Sequence, residues 1–338
     1  MTRSGFICKV IATFTLVSAL IGCQQAKPPH ADEVSFSVTL PETATEARSA
    51  WQAFLDDMAS QTGLKIRTHF TIDDAASVKA MGDNHVQAGL FSNPAALQAV
   101  RDANAYVIAR ASDPNAPEGY RSLILTRADS GLSLEHLMAC SGGLRLGMGE
   151  EHSLAGSLAP LTYLFLPENI APDKCFASID RSDPATQTEA LMAGRLDATV
   201  SNTIALQRLT TTKPDASAGL KVVWTSPLLP DPPLLLRKDL DPATREKLRS
   251  FILSYGTGDS PEAERQRGVL ARLGLAAFQP ADDTHLLPMR EMEAARILIE
   301  TRKENNPAAI AKAEKDFERI ASERRALAKP LEAPADPS

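Results

Sequence analysis

The hydrophobic and polar positions of the chain change their period repeatedly between residues 34 and 200. Short segments in which apolar residues alternate with polar ones, or form a continuous block, predict β-strands. The predicted strands are 34–38, 64–70, 86–91, 123–126, 144–148, 176–179 and 196–200. Helical spacing fills most of the intervals, so the pattern predicts alternating strands and helices.

The first predicted helix, 46–62, has a continuous apolar face and ends at Gly63. Its apolar face is formed by Ala47, Trp51, Phe54, Leu55 and Met58. Later helices are expected to begin at residues that favour a first turn through a side-chain cap or a proline. These starts are Asp73 or Asp74 for a helix through Met81, Asn93-Pro94, Ser153, and Ser182-Asp183-Pro184 for a helix ending at Gly194.

Strand–helix alternation favours an α/β protein with mostly parallel sheets, and two segments are predicted to cross between lobes. Residues 119–127 lead into a second lobe. Residues 224–233, in which four prolines favour an extended connection, lead back. The predicted first lobe is therefore 34–127 with 226–290, and the predicted second lobe is 128–225.

Residues 291–338 differ in character from the rest. Residues 291–327 are charged and alanine-rich with helical spacing, interrupted at Asn305-Asn306-Pro307, and a proline-rich tail predicted to be disordered follows. A solvated helix that wraps the body is favoured over a helix that binds a partner, although the sequence allows both.

The first 33 residues predict export and a membrane anchor. Arg3 and Lys9 bracket a short basic region, and an apolar run from Val10 to Ile21 follows. This run is shorter than the ~20 residues of a membrane span, which is typical of an export signal. Leu20-Ile21-Gly22-Cys23 resembles the bacterial lipobox, which implies cleavage after residue 22 and lipid on Cys23. Residues 23–33 then form a flexible tether. The prediction is a lipoprotein of the periplasm or cell envelope; the alternative is an ordinary signal peptide that contains Cys23.

The cysteine pattern agrees with export. Cys8 belongs to the signal segment and Cys23 to the anchor, which leaves Cys140 and Cys175 as a possible pair in an oxidising compartment. Each precedes a predicted strand. Two unpaired buried thiols remain the alternative. Neither cysteine is part of a CxxC motif, so redox or zinc chemistry has little support.

Composition excludes several functional classes. The 338-residue chain has a net charge of −6, which gives no basic face for nucleic acid, and its length suffices for two lobes. A nucleophile elbow, P-loop, HExxH motif and dinucleotide fingerprint are all absent from the sequence. The six histidines are scattered, and Glu150-Glu151-His152 is interpreted as a loop. We therefore predict neither an enzyme, a metal site nor a cofactor.

Several segments, in order, resemble phosphonate-type periplasmic binding proteins over most of residues 34–290. They are Gly119-Tyr120-Arg121-Ser122 with Asp129-Ser130, residues 153–160, 196–203, 222–230, 237–240 and 286–290. The resemblance implies a type II periplasmic binding protein fold, with two lobes joined by a two-strand hinge. It also implies a monomeric solute-binding component of an ABC importer, a phosphonate or related oxyanion as ligand, a permease partner, and pairing of Cys140 with Cys175.

The same resemblance places a ligand site in the cleft between the lobes. The implied binding positions are Asp74, Asn93, Tyr120, Ser153, Leu154, Ala155, Gly156, Thr186, Asp197 and Asn202. Helix N-termini with hydroxyl side chains are suited to oxyanions because they present free N–H groups and positive potential. Closure of the lobes would bury the ligand.

This sequence departs from the family pattern within that site. The family's Ser-Thr-Ser-Gly run is Ser153-Leu154-Ala155-Gly156, so a single hydroxyl remains. A His-Glu pair is replaced by Pro184-Ala185, an aromatic residue by Asp74, and a serine by Ala95. Each lost charge-assisted donor would cost binding about 1.5–3 kcal/mol.

Two carboxylates would oppose an anionic ligand further. Asp74 and Asp183 are predicted at helix N-termini, where repulsion of a second anion at 4 Å is roughly 4 kcal/mol at an effective dielectric constant of 20. The alternative is that both are ordinary caps that face solvent. The sequence therefore predicts a binding lipoprotein whose pocket has diverged. Its rival is an envelope lipoprotein that keeps the fold for sensing or for docking a partner.

Overall fold

The computed structural model of the chain describes residues 33–41, 43–114, 116, 119–304 and 306–327. The predicted signal segment, Cys23, nearly all of the tether and the proline-rich tail lie outside the described residues. Within the described ranges, the structure has no helix long and apolar enough to cross a membrane.

Eleven strands and twelve α-helices make up the described chain, together with short 3₁₀ and π-helical turns. The strands are β1 Glu33–Thr39, β2 Lys65–Thr71, β3 Ala88–Leu90, β4 Ala105–Arg110, β5 Ser122–Arg127, β6 Arg145–Met148, β7 Ser178–Arg181, β8 Ala198–Asn202, β9 Leu220–Thr225, β10 Pro233–Arg237 and β11 Gln279–Pro280. The helices are α1 Thr45–Thr62, α2 Asp74–Gly82, α3 Asn93–Asp102, α4 Leu134–Met138, α5 Pro172–Cys175, α6 Pro184–Met192, α7 Thr203–Thr212, α8 Pro214–Ala218, α9 Pro242–Ser254, α10 Pro261–Arg272, α11 Leu287–Lys303 and α12 Pro307–Leu327.

A further helix follows Ser153 and consists mostly of π-helical turns, Leu154–Leu158 and Leu161–Phe165. We call residues 154–165 the Ser153 helix. Its first turns carry the i to i+5 hydrogen bonds of a π-helix, such as Ala159 N–H to Leu154 C=O. The predicted helix start at Ser153 is thus confirmed, although the hydrophobic pattern did not indicate the wider turns.

The strands form two sheets, which confirms the predicted α/β class and two-lobed organisation. The first sheet has the order β11-β4-β10-β3-β1-β2, and the second has the order β7-β6-β8-β5-β9. Most strands of each sheet run in one direction, but the interior strands β10 and β5 run antiparallel to both neighbours. Each of these reversed strands directly follows a crossing between the lobes.

Strand β5 corrects the predicted boundary of the first lobe at residue 127. It pairs with β8 and β9 and therefore belongs to the second sheet. The sequence identified this segment as the crossing, but hydrophobic pattern alone does not show with which sheet a strand pairs. The structural division between the sheets falls before Ser122.

The first lobe is built on an aromatic cluster between its sheet and helices α1 and α9. Alternating residues of β1 point into this core, and α1 buries the face predicted for it. Phe54 lies at the centre, with ring centroids 4.9 Å from Tyr255 and 5.5 Å from Trp51. Gly63 ends α1 with φ of +69°, a conformation that glycine adopts without strain.

The crossing segments run side by side between the lobes. Leu229 N–H donates to Tyr120 C=O at 2.8 Å, and the two residues form an isolated antiparallel bridge. Arg121 donates to Ser226 C=O at 2.8 Å, and Ser122 N–H donates to Ser226 Oγ at 2.9 Å. These contacts form a two-strand connection of the kind predicted.

Helices α11 and α12 pair as a hairpin that contacts both lobes. The α11 side chains Met289 and Met292 lie in one apolar cluster with Leu97 of α3 and Leu158 of the Ser153 helix. Further along, Leu298 packs against Leu166. The C-terminal helices therefore pack on the body across the lobe boundary, as the favoured interpretation of this segment predicted.

Candidate ligand-binding cleft

Five helix N-termini lie at the carboxyl ends of parallel strands, on both sides of the crossing segments. In the first lobe β2 leads to α2 and β3 leads to α3. In the second lobe β6 leads to the Ser153 helix, β7 to α6 and β8 to α7. In open α/β sheets, ligands bind outside the carboxyl ends of the strands. The two edges define the candidate cleft.

The two crossing segments together connect these two edges. On the first-lobe side, Asn93 Nδ2 donates to Pro230 C=O at 2.8 Å. On the second-lobe side, Ser122 Oγ donates to Ala155 C=O at 2.6 Å. Leu229 lies between them in the apolar cluster that contains Ala155. The starts of α3 and of the Ser153 helix therefore meet at the hinge.

In the first lobe, Asp74 is bonded to the cap of the neighbouring helix. Asp73, rather than Asp74, is the N-cap of α2 and accepts from Ala76 N–H at 2.7 Å. Ser92 is the N-cap of α3, and its hydroxyl donates to Asp74 Oδ2. The hydroxyl proton of Ser92 is thus held by a carboxylate and is not free for an anionic ligand.

The predicted start of α3 at Asn93-Pro94 is one residue late, because Ser92 supplies the cap. Asn93 is the first helical residue and is 6 % exposed. Its amide nitrogen is used by Pro230, while its Oδ1 has no hydrogen-bond partner among the described residues. Asn93 therefore joins the helix start to the hinge.

In the second lobe, the Ser153 helix begins with one hydroxyl and close backbone contacts. Ser153 Oγ accepts from Gly156 N–H at 3.1 Å. A Cβ on Gly156 would lie 2.8 Å from Gly149 Cα, so only glycine permits this approach of the preceding loop. Leu154 and Ala155 pack in the apolar cluster beside Tyr120. Leu154 and Ala155, which replace hydroxyl residues of the family pattern, thus place apolar groups at the hinge.

The start of α6 is satisfied by its own side chains. Asp183 Oδ1 accepts from Ala185 and Thr186 N–H at 2.9 and 3.1 Å, and Oδ2 accepts from the Thr186 hydroxyl at 2.6 Å. The hydrogen bond from the Thr186 hydroxyl is the largest of the causes that lower the pKa of the exposed Asp183 carboxyl. Asp183 is a helix cap that faces solvent, which was one of the two alternatives.

At the end of β8, Asn202 caps α7. Asn202 Oδ1 accepts from Ala205 N–H at 2.8 Å. The following Thr203 accepts from Arg121 N–H through its hydroxyl oxygen at 3.1 Å. These contacts bring the start of α7 beside the first crossing, close to Tyr120 in the chain.

Asp197 lies at the opposite ends of the same strands. β6 and β8 are parallel, with Leu146 beside Ala198, so Asp197 and Arg145 both precede the sheet while Ser153 and Asn202 follow it. Asp197 accepts from Arg145 Nε and Nη2 at 2.9 Å each. This bonding lowers the pKa of Asp197. Asp197 therefore lies apart from the other candidate ligand-binding residues, most of which follow the carboxyl ends of the strands.

A buried polar cluster behind Tyr120 was not found from the sequence. Asp231 of the return crossing is 3 % exposed, and forms an ion pair with Arg110 at the end of β4. The side chain of His285 lies 2.8 Å from Asp231 C=O. Burial, followed by the charge of Asp231, raises the pKa of Tyr120 to about 12, so its phenol stays protonated as a donor.

Two other predictions concern chemistry outside the cleft. Cys140 and Cys175 are joined by a disulfide in the structure, as the resemblance implied. Among the described residues, the structure shows no cluster of three or more His, Cys, Asp or Glu side chains that could hold a metal ion.

Comparisons with known proteins place this geometry among transport proteins. A family model described as ABC transporter, phosphonate, periplasmic substrate-binding protein matches residues 36–286. The phosphonates-binding periplasmic protein of Escherichia coli K12 is 31 % identical over 289 residues, which cover 84 % of each chain.

Solved structures agree with the sequence match. The binding protein component of an ABC phosphonate transporter from Pseudomonas aeruginosa is 30 % identical, with a TM-score of 0.62 over 87 % of this chain and 98 % of that chain. A Prochlorococcus marinus protein solved in complex with methylphosphonate shares the fold, with 16 % identity and a TM-score of 0.57 over 78 % of this chain and 97 % of that chain.

Proposed function

The chain belongs to the phosphonate family of ABC transporter periplasmic substrate-binding proteins, and from this membership we propose that it captures a small oxyanion of the phosphonate class in its interlobe cleft. The type II fold expected from the resemblance is confirmed. The members and relatives are transport proteins, so an ABC permease is the expected partner. The rival role in sensing or docking has no support from the comparisons.

The observation that carries this proposal is the convergence of helix N-termini at the hinge. The starts of α3, the Ser153 helix and α7 adjoin the two crossing segments. Each start presents backbone N–H groups with partial positive charge, which favours a doubly charged oxyanion. The hydroxyl of Ser153 and the protonated phenol of Tyr120 are the side-chain donors nearest this point.

We further propose that the cleft holds the oxyanion more weakly than the family's usual site. The Ser92 hydroxyl donates to Asp74 and the Thr186 hydroxyl donates to Asp183, so neither proton is free for a ligand. Leu154 and Ala155 supply no donors. Asp74, which is half-buried at the first-lobe edge, would repel an incoming anion.

Calorimetry with methylphosphonate, phosphite and phosphate tests both parts of the proposal. We expect the unaltered protein to bind methylphosphonate, but more weakly than micromolar. The triple variant Asp74→Tyr, Leu154→Thr, Ala155→Ser should bind it at least about a hundredfold more tightly, because it regains two donors and loses one negative charge.

The variant Asp183→Asn is a control that distinguishes the effect of the Asp74 carboxylate on affinity from that of Asp183. Asp183→Asn removes a charge at the other cleft edge while asparagine still caps α6, so it should change affinity by less than about threefold. Micromolar or tighter binding by the unaltered protein would contradict the weakened site. Absence of binding in both the unaltered protein and the triple variant would contradict an oxyanion ligand altogether.

We also propose that the protein is a monomer held at a membrane of the cell envelope by lipid on Cys23. Family membership supports a periplasmic location, and the lipobox-like sequence supports the anchor. Mass spectrometry of the mature protein from a bacterial host should find diacylglycerol on Cys23, and Cys23→Ser should release the protein from membranes. Unmodified Cys23 in the mature protein would contradict the anchor, and a dimer in light scattering would contradict the monomer.

A further inference from the structure

A cavity of about 1050 Å³ lies on the flank of the second lobe, beside α11. Its walls come from residues 148–181 and from the second half of α11, residues 296–303. The strands of the first sheet and both crossing segments take no part in its lining. The hinge therefore does not line the cavity, although the lining includes Met148 and Arg181, the last residues of β6 and β7. Nothing in the proposed function accounts for the cavity.

The charged lining of this cavity is predominantly cationic. It contains five lysine and arginine residues against three carboxylates, in a chain whose net charge is −6. Glu300 forms an ion pair with Lys303 at 2.9 Å. The hydrogen bond that Lys303 donates to Glu300 is the largest cause that raises the pKa of Lys303, and the charges of Asp173 and Glu151 contribute to the same shift. The carboxylates thus compensate one end of the cavity.

Three cations of the lining have no ion pair with a carboxylate within the described part of the chain. They are Lys174 of α5, Arg181 at the end of β7, and Arg296 of α11. Arg181 is half-buried and is oriented by its Nη1, which donates to Gly149 C=O at 2.7 Å and Ser157 Oγ at 2.8 Å. Its remaining N–H groups have no hydrogen-bond partner among the described residues, so a guanidinium fork is positioned beside the cavity.

The rest of the lining is mainly apolar, with His152, Ser157 and Asn169 as its polar members. Phe165, which is 1 % exposed, and Leu158 form the base together with Leu161 of the Ser153 helix. Ile179 of β7 and Ile299 of α11 lie on the sides. Pockets of roughly 300–1000 Å³ accommodate drug-sized molecules, and apolar walls with a few charged groups are their usual composition.

We propose that this cavity is a second binding site, which takes an amphiphilic anion with one compact anionic head and an alkyl chain. The head pairs with Arg181, the cation that hydrogen bonds orient, and with Arg296 of α11, whereas Lys174 precedes β7 and lies at the other end of that strand. The alkyl chain lies against Leu161, Ile179 and Ile299, where each buried methylene raises the affinity about fourfold. A small hydrophilic oxyanion would use only the charged part of the site, and an uncharged alkyl compound only the apolar part.

Calorimetry with decyl phosphate, kept below its micelle concentration, tests this site on the full mature chain. We expect saturable micromolar binding of decyl phosphate, and binding of inorganic phosphate and of decan-1-ol weaker by at least about a hundredfold. Saturation of the interlobe cleft with methylphosphonate should leave the decyl phosphate affinity unchanged.

Two pairs of variants locate the site. Arg296→Glu should weaken decyl phosphate binding by about tenfold or more, whereas Arg249→Glu on the exposed face of α9 should change it by less than about twofold. Ile299→Trp, which fills the cavity, should weaken binding by about tenfold or more, whereas Ile297→Trp on the exposed side of the same helix should not. Both tryptophan variants are checked for an unchanged thermal unfolding midpoint.

The proposal is overturned if the unaltered protein shows no saturable decyl phosphate binding. It is equally overturned if Arg296→Glu and Ile299→Trp affect binding no more than their controls, because the ligand would then lie elsewhere. Binding of inorganic phosphate as tight as that of decyl phosphate would also overturn it, by showing a site for the anionic head alone. Arg296 is exposed, so its replacement should leave the fold intact. Arg296→Glu therefore still tests the site if Ile299→Trp destabilises the fold.

Discussion

The two lobes share a topology but differ in what stabilises them. In each sheet a strand that follows a crossing is inserted antiparallel between two others. The first lobe has β1 and β2 strands of seven residues and a core in which five aromatic rings contact a sixth, Phe54. The second lobe has β6 and β7 strands of four residues, a single aromatic pair, and the Cys140–Cys175 disulfide.

This difference shows that one strand order can be stabilised in two ways. Large buried rings stabilise the first lobe through the apolar area that they remove from water. The second lobe has a smaller ring cluster, and its covalent bond closes a loop of 35 residues. Cross-linking lowers the conformational entropy of the unfolded chain. The disulfide therefore stabilises the second lobe mainly by making its unfolded state less favourable.

The largest expected effect is the loss of the central ring in the first lobe. Phe54 is fully buried and contacts Phe36, Trp51, Phe251, Tyr255 and Phe278. Phe54→Ala should lower the free energy of unfolding by about 3–5 kcal/mol, because it removes apolar contacts and leaves a cavity in a rigid cluster. Urea unfolding followed by circular dichroism measures the change.

Phe165 in the second lobe is the matched control for this prediction. It is also fully buried, but Phe176 is the one aromatic ring found in contact with it within the described residues. Phe165→Ala should therefore cost less than Phe54→Ala. A cost equal to or greater than that of Phe54→Ala would show that the two cores do not differ as the ring contacts indicate.

The next effect concerns the covalent bond. Replacement of both Cys140 and Cys175 by serine should lower the free energy of unfolding by about 4 kcal/mol, the loop-entropy value for this separation. Hydrogen exchange should quicken in β6, β7 and α4 and remain unchanged in β1 and α1. Equal quickening in both lobes would show that the disulfide stabilises the molecule as a single unit rather than the second lobe.

Much of the architecture was predictable because its signals are local. The apolar face of α1, the glycine at its end, and the caps of α2, α6 and the Ser153 helix depend on neighbouring residues. Strands β4 and β10 were not assigned, because both are interior strands without polar alternation, and β10 begins at a proline of the crossing.

The site was less predictable, since its contacts join distant parts of the chain. Arg110 and Asp231 are 121 residues apart, and neither belongs to a recognisable motif. Asp74 was identified as a helix-start carboxylate, but its bond with Ser92 depends on the packing of α2 beside α3. Asp197 fits the sequence order of the resemblance. Only the register of β6 and β8 shows that it lies at the start of β8, away from the cleft.

The smallest expected effect is the pH dependence of the Arg145–Asp197 pair in the second lobe. Bonding to Arg145 lowers the pKa of Asp197 below its unfolded value of about 3.9, so the pair stabilises the lobe above that pH and this contribution is lost as the pH falls through the folded pKa. The pair is partly exposed, so Asp197→Asn should cost at most about 1 kcal/mol near neutral pH. The difference from the unaltered protein should vanish once the pH has fallen below the folded pKa of Asp197. The exposed Asp215 has no ion pair among the described residues, and Asp215→Asn should show no difference at either pH. A deficit of Asp197→Asn that persists in acid would mean that its cost comes from packing, not from charge, and the two lobes would then differ in their cores alone.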